Sequence, residues 1–343
     1  MPAMSPPLIQ PTALGLYCAA GDFHIDPWRP VPRALITHAH ADHARPGSAQ
    51  YWAARPGLGL LRRRLGGNAR IHAVDYGEVL RFGAVTVSLH PAGHVLGSAQ
   101  IRLEHDGEVW VASGDYKRDD DPTCAPFEPI VCDTFITEAT FALPVYRWPR
   151  VERVASDIHS WWQDNAAAGR TTVLFSYALG KAQRLLAALP AGHPGPIYLH
   201  GAVAPLTQDY RDAGVDLAPT RKVSEAPGDE DYSRALVIAP PSAAGSTWMR
   251  RFRKPATGFA SGWMRIRGNR RRRGYDRGFV ISDHVDWPGL LRTIHDTGAT
   301  EVLTTHGRAD ELVRYLRERG LRARPLATLY GDGDAEGDAG AVD

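Results

Sequence analysis

The sequence predicts an α/β protein in which a β-rich domain is interrupted by an α/β insert. Three observations predict it. From residue 31 to about 140, short apolar runs alternate with Gly and Asp; near residue 150 the pattern turns to alternating helix and strand; from about residue 279 the first pattern returns. A chain of 343 residues also exceeds what one hydrophobic core usually holds, so a second domain is expected on length alone.

The first stretch holds PRALITHAH, YGEVLRFGAVTVSLHPAGH, SAQIRLEHDGEVWVASGDY and CDTFITEAT. β-branched residues, period-two alternation and turn punctuation mark these as strands. His105-Asp106-Gly107-Glu108 reads as a hairpin turn, since Asp-Gly tolerates the positive φ angles of a two-residue loop. Polar residues capable of chemistry fall repeatedly just after an apolar strand, where a loop presents them at a sheet edge. The insert begins with VERVASDIHSWWQDNAAAG, an amphipathic helix, followed by the strand TTVLFSY, the helix ALGKAQRLLAALP and the strand GPIYLHG. That order predicts parallel-sheet winding. The strands GFVISDHVDWPGLL and ATEVLTTHG and the helix DELVRYLRERG complete the interrupted domain. The expected boundaries are 1–148 and 280–328 for the β-rich domain, 149–279 for the insert and 329–343 for an acidic Gly/Ala tail, read as disordered for want of apolar residues.

Hydrophobic residues make up 43% and charged residues 23%, an ordinary globular balance. Three cysteines (Cys18, Cys124, Cys132) are too few and too scattered for a disulfide framework or a four-thiolate zinc site. No signal-peptide pattern and no long apolar run occurs, so the expectation is a cytoplasmic protein with no membrane partner. Net charge is only +2, but its distribution is uneven: residues 250–273 carry Arg250, Arg251, Arg253, Lys254, Arg265, Arg267, Arg270, Arg271, Arg272 and Arg273 with no acidic residue. Trp248, Phe252, Phe259, Trp263 and Ile266 lie among them, an interleaving suited to phosphate contacts and base stacking, although a solvated charged surface has the same composition. At the strand-to-helix step from Ser176 to Lys181, backbone N–H groups and the lysine are candidates for holding a terminal phosphate; helix capping is the plainer reading.

The densest chemistry is Thr37-His38-Ala39-His40-Ala41-Asp42-His43, three imidazoles and a carboxylate in six residues directly after the strand ALI. Imidazole nitrogen and carboxylate oxygen are ligands of zinc and its borderline neighbours, and a turn carrying them can face two adjacent metal positions. His94 in PAGHVLGSAQ, Asp115 in ASGDYKRDDD and His306 in LTTHG also follow strands, with Gly93 and Gly114 allowing tight turns at the first two.

In this order and spacing, His38-Ala39-His40-Ala41-Asp42-His43, Gly93-His94 and Gly114-Asp115 resemble the metallo-β-lactamase signature HxHxDH…H…D. Glu138-Ala139-Thr140, Ser282-Asp283-His284-Val285-Asp286 and Thr305-His306-Gly307 resemble the three further motifs of the β-CASP nucleases, a branch that includes DNA crosslink-repair nucleases, RNase J and the pre-mRNA 3′-end endonuclease. The run GDFHIDPWRPVPRALITHAHADHARPGS and the short insert look most like the bacterial ligase-associated DNA exonucleases. The resemblance spans residues 15 to 325 and implies a four-layer αββα fold with an inserted β-CASP domain. It implies two divalent metals, zinc first and manganese as the alternative: His38, His40 and His94 on one, Asp42, His43 and His306 on the other, and Asp115 bridging. Two cations about 3.5–4 Å apart clamp a phosphodiester and acidify a shared water, the nucleophile so implied. Asp42 and Asp115 are thereby catalytic as well as ligating, with Glu138 and His284 beside them: His284 to protonate or orient the leaving oxygen, Glu138 to fix its tautomer.

The function so implied is a metal-dependent DNA exonuclease of repair, 5′-directed, acting on single-stranded DNA or DNA with a free end, with an ATP-dependent DNA ligase and a helicase as partners. The alternative is an RNA-processing nuclease of the same architecture, since His306 is the residue type of the RNA-acting branch where the crosslink-repair branch has an apolar one. A lactonase or thioesterase lacks the insert and the arginine-rich segment. A metal-free nucleic-acid-binding protein leaves seven ordered ligands without a purpose.

Overall fold

The computed structural model describes residues 7–266 and 274–328, and the side chain of His306 lies outside the described residues. The chain is a mixed α/β protein that divides into two compact units, Met1–Pro144 with His284–Ala335, and Val145–Asp283.

The first unit contains two sheets. One runs in the order Gln10–Pro11, Leu16–Cys18, Phe23–Ile25, Arg33–Leu35, Gln50–Ala54, Ile71–Val74, parallel from Phe23–Ile25 onward. The other runs Arg322–Pro325, Glu301–Gly307, Thr134–Ala139, Glu108–Ala112, Ala99–His105, Val85–Pro91, Val79–Phe82. Leu16, Ile25 and Leu35 of the first share one buried cluster with Val87, Ile101, Leu103, Ile136 and Leu303 of the second. Period-two alternation turns the neighbouring residues Val111, Phe135 and Val302 to the opposite face, where they meet Trp287, Leu290, Ile294, Leu312 and Leu316. The last five belong to the helices Trp287–Thr297 and Ala309–Arg317. Each such fully buried aliphatic side chain contributes about 1.5–3 kcal/mol. Asp106 and Gly107 both take positive φ, 51° and 81°, and close the expected hairpin between His105 and Glu108.

The direction of the strands positions the site. Val85–Pro91 and Glu108–Ala112 are each antiparallel to Ala99–His105 and so run the same way, and Thr134–Ala139 and Glu301–Gly307 run parallel to them. Their C-terminal ends therefore lie along one edge of the sheet. The loop after Arg33–Leu35 is tied to that edge by the Ala99 amide donating to Thr37 O at 2.8 Å.

The second unit is a six-stranded sheet in the order Arg221–Lys222, Ile197–Leu199, Leu236–Ala239, Thr172–Phe175, Ala256–Ala260, Arg277–Phe279, parallel throughout. Thr172–Phe175 and Leu236–Ala239 are buried at every position, as expected where both faces of a parallel sheet are covered. Helices Val151–Ala167, Lys181–Ala188 and Ala204–Asp212 fall between strands. Gly258 is required where Trp161 lies against the sheet: a Cβ there would stand 2.8 Å from the indole ring. Among the described residues no helix is long and apolar enough to cross a membrane.

Candidate metal centre

Local chain geometry brings the histidine-rich loop to Asp115. Gly114 takes φ of 56°, and a Cβ on it would lie 2.7 Å from Thr37 Cβ, so only glycine lets the two loops approach this closely. Asp115 Oδ2 then lies 3.4 Å from His38 Nε2, 3.6 Å from His43 Nε2 and 3.8 Å from His94 Nε2. His94 Nε2 and His40 Nδ1 are 3.1 Å apart, and His43 Nε2 and Asp42 Oδ2 3.6 Å. His38, His40, His94 and Asp115 thus offer ligand atoms all within 4.8 Å of one another. Asp115, Glu138 and His284 form a second such group sharing the Asp115 carboxylate.

A second layer of hydrogen bonds decides which ring nitrogens face inward. Asp26 accepts from the Thr37 amide at 2.8 Å, the Thr37 hydroxyl at 2.5 Å and His43 Nδ1 at 2.7 Å. Because the Thr37 hydroxyl proton goes to Asp26, Thr37 Oγ1 accepts from His38 Nδ1 at 3.0 Å. A carboxylate only accepts, so Nδ1 carries a proton on both rings and it is Nε2 of each that faces Asp115. His38 is 2% exposed, and its Nε2 has no hydrogen-bond partner among the described residues. A buried imidazole nitrogen left in this way is costly unless a cation takes its lone pair, and the donor set of imidazoles and carboxylates suits a borderline divalent metal. The residues present therefore fit such a group.

Electrostatics separates the histidines. Burial, reinforced by the imidazoles of His284, His38 and His40 against a smaller opposing pull from Asp115, holds His94 well below the usual histidine range. It is the neutral form that ligates. Burial also lowers His43, but the carboxylates of Asp42, Asp115 and Asp26 outweigh it and push this ring up to about 10. For Asp42, burial and Asp115 raise the pKa, yet the imidazoles of His43, His40 and His38 leave it below its usual value.

Beside this group, Glu138 Oε1 accepts from the Tyr116 amide at 2.9 Å and Oε2 faces His284 Nδ1 at 2.9 Å. Both side chains are buried. The ring of His284 lies 4.8 Å from that of His94, centroid to centroid.

The remaining sequence-predicted residues divide. The backbone of His306 lies on Glu301–Gly307, next to Thr134–Ala139, while its side chain lies outside the described residues. Arg250, Arg251, Arg253, Lys254 and Arg265 are exposed, with Arg251 lying 5.5 Å from the Trp248 ring centroid. Arg267, Arg270, Arg271, Arg272 and Arg273 and the acidic tail lie outside the described residues. Ser176 is fully buried, and Lys181, 1% exposed, faces Asp283 at 3.5 Å. Two aromatic residues read as stacking partners are core instead: Phe259 lies on Ala256–Ala260, and Phe252 packs between Trp248 and Tyr232. Composition places planar and basic residues in one segment without saying which face each occupies. The reading of single residues missed Asp26 and Thr37. Asp26 has a positive φ of 42°, which no local pattern signals.

No protein-family model matches the chain. The protein named "Probable DNA ligase" from Opitutus terrae is 34% identical over 316 residues, covering 90% of this chain and 30% of that protein. Cleavage and polyadenylation specificity factor subunit 3 of Dictyostelium discoideum is 31% identical over 146 residues, 39% of this chain and 18% of the relative. Endoribonuclease ysh1 of Aspergillus fumigatus is 33% identical over 144 residues, with 39% and 16% covered. The chain thus spans less than a third of the length of these curated relatives. A crystal structure of a protein of unknown function from Enterococcus faecalis superposes with a TM-score of 0.58 at 12% identity, covering 87% of this chain and 80% of that one, a likeness of fold. With these relatives and the ordered His/Asp series in view, the chain belongs to the β-CASP nuclease branch of the metallo-β-lactamase superfamily.

Proposed function

We propose that the protein is a two-metal phosphodiesterase that degrades DNA from a free end in repair, 5′-directed and cytoplasmic. The observation that carries this reading is the approach of three imidazole Nε2 atoms to within 3.8 Å of one carboxylate oxygen of Asp115. His38, His40, His94 and Asp115 would hold one cation, and Asp42, His43 and His306, with Asp115, would hold the other; zinc is the first choice and manganese the second. Such cations, when bound, neutralise phosphate charge and acidify a water to supply the attacking oxygen.

The protein's own groups do the rest. Glu138 accepts a hydrogen bond from Nδ1–H of His284 and so orients its Nε2. A protonated His284, stabilised by that carboxylate, delivers the Nε2 proton to the oxygen that leaves. The Tyr116 amide holds the other oxygen of Glu138 and so fixes the pair. The four-layer αββα arrangement and an inserted domain over 149–279 belong to the same reading. So do the basic residues of 250–273 as contacts to the strand, whereas Ser176 and Lys181 are buried, Lys181 against Asp283, and are not proposed as contacts.

DNA is favoured because the relative matched along 90% of this chain carries a ligase name, and an enzyme that trims DNA ends acts on the same breaks that a ligase seals. An ATP-dependent ligase and a helicase are the partners this implies. A second reading, RNA processing, is favoured by the relatives named for polyadenylation and endoribonuclease activity and by His306. Matched single strands of DNA and RNA, linear and circular, separate these. The proposal expects the linear DNA to be degraded stepwise and the circle to persist. Preferential cleavage of RNA would replace it with the second reading, and cleavage of the circle would remove the exonuclease assignment.

A further inference from the structure

Asp115 and His284 each open a stretch of chain, and the two stretches are pinned to each other within the first unit. Asp115 leads into Tyr116, Lys117 and Arg118. Two residues after His284, the side chain of Asp286 accepts from the Gly289 amide at 2.9 Å and so caps the helix Trp287–Thr297.

Two rungs join the first stretch to that helix. Arg118 Nη2 lies 2.9 Å from Asp296 Oδ2 in the last helical turn, and the guanidinium stands 5.2 Å from the Phe127 ring centroid. A Cβ on Gly289, about two turns before Asp296, would stand 3.7 Å from Arg118 Cγ, so the arginine side chain lies along the helix. The second rung is inside the fold. Thr293 Oγ1 donates to Gly289 O at 2.9 Å and bonds the phenol of Tyr116, which Thr137 Oγ1 also meets at 3.4 Å. Tyr116 and Thr293 are both fully buried. The amide of the same tyrosine donates to Glu138 Oε1, and Oε2 of that carboxylate faces His284 Nδ1. One short segment thus carries the shared carboxylate of the metal centre, holds the partner of His284 and grips the helix that follows His284. With side chains 16% and 30% exposed, the Arg118–Asp296 pair adds little stability over an apolar pair; what it supplies is a fixed geometry.

We infer that Arg118 and Thr293 are positioning residues, which hold His284 at a set distance from Asp115 through the segment 115–118 and the helix Trp287–Thr297. The inference rests on the reading of His284 as the acid for the leaving oxygen and deepens it. An acid works only within hydrogen-bond reach of the oxygen it protonates, and a misplacement of about 1 Å costs on the order of 10²-fold.

The test compares two substrates of the full chain loaded with divalent metal. Bis-p-nitrophenyl phosphate releases a weakly basic nitrophenolate that leaves without a proton, whereas linear single-stranded DNA releases a strongly basic sugar oxygen that requires one. Arg118→Gln and Thr293→Val should each lower the rate on DNA about tenfold, a part of the about 10²–10⁴ that such an acid contributes. The rate on the nitrophenyl ester, the metal content and the melting temperature should stay near the parent's, and neither change should add to the loss in a His284→Ala background. Thr293→Val keeps the shape of the side chain and carries the test if Arg118→Gln fails to fold. Equal losses on both substrates, loss of metal, a further loss on top of His284→Ala, or parent-like DNA cleavage by both variants would overturn the inference while leaving the nuclease reading in place. A parent protein that hydrolyses the nitrophenyl ester but cleaves no nucleic acid would sink that reading and this inference with it.

Discussion

The carboxylate of Asp26 lies 2.7 Å from Nδ1 of His43, seventeen residues away, and thereby turns the other nitrogen of that ring toward Asp115. Carboxylate–histidine pairs of this kind fix the tautomer and raise the basicity of a metal ligand. Asp26→Ala is expected to cost about 10–100-fold in metal affinity with no direct ligand removed. Competition titration against a chromogenic chelator measures this. Parent-like affinity in the variant would show that Thr37 and the loop alone orient His43.

The ring of His43 is held as an imidazolium up to about pH 10, and an imidazolium cannot ligate. Uptake of a cation by this residue must therefore release a proton, and metal affinity should rise with pH through the neutral range. The sign for the metal-free protein is opposite. A folded value above the unfolded value of about 6.5 adds stability that is complete below pH 6.5 and lost as pH rises through about 10. Calorimetric titrations in buffers of different ionisation enthalpy count the protons, and a pH-independent affinity with no proton release would contradict this account of His43.

Replacing Asp115 or His40 by Ala should abolish phosphodiesterase activity without unfolding the chain, because both are polar groups at the loop edge and not packing residues. Asp115 stands within 3.8 Å of three imidazoles, so its loss removes the shared ligand of the whole cluster. Circular dichroism and a small activated phosphodiester check the two halves of the statement. Retention of activity near the parent level in either variant would remove that residue from the ligand set.

His284→Ala should behave differently. As the acid for the leaving oxygen it contributes about 10²–10⁴ in rate, so the variant keeps its metals and turns over slowly. Glu138→Gln, which leaves the ring in place but removes the carboxylate facing Nδ1, should show a smaller defect of the same kind. Metal loss on His284→Ala would make it a ligand instead.

The centre was legible from sequence where its residues are contiguous or follow strands. The series from His38 to His43, His94 and Asp115 announces itself because dense imidazole and carboxylate after apolar runs has few other uses. Asp26 and Thr37 were not legible, since their role depends on a backbone angle and a distance that only the fold creates. The hairpin at Asp106-Gly107 was legible from turn chemistry alone. The helix Leu58–Leu65 was not: Gly57 and Gly59 depress helix propensity, and its apolar stripe is only two turns long. Phe252 and Phe259 show the converse, residues whose company suggested a surface and whose strand and packing made them core.

The central claim, a metal-dependent nuclease, is tested most directly by stripping the protein with a chelator and following cleavage of an end-labelled single-stranded DNA as zinc or manganese is restored. The account predicts no cleavage by the stripped protein, recovery with added cation, and none in Asp115→Ala at any metal concentration. Cleavage that persists without metal, or that Asp115→Ala retains after reloading, would contradict it.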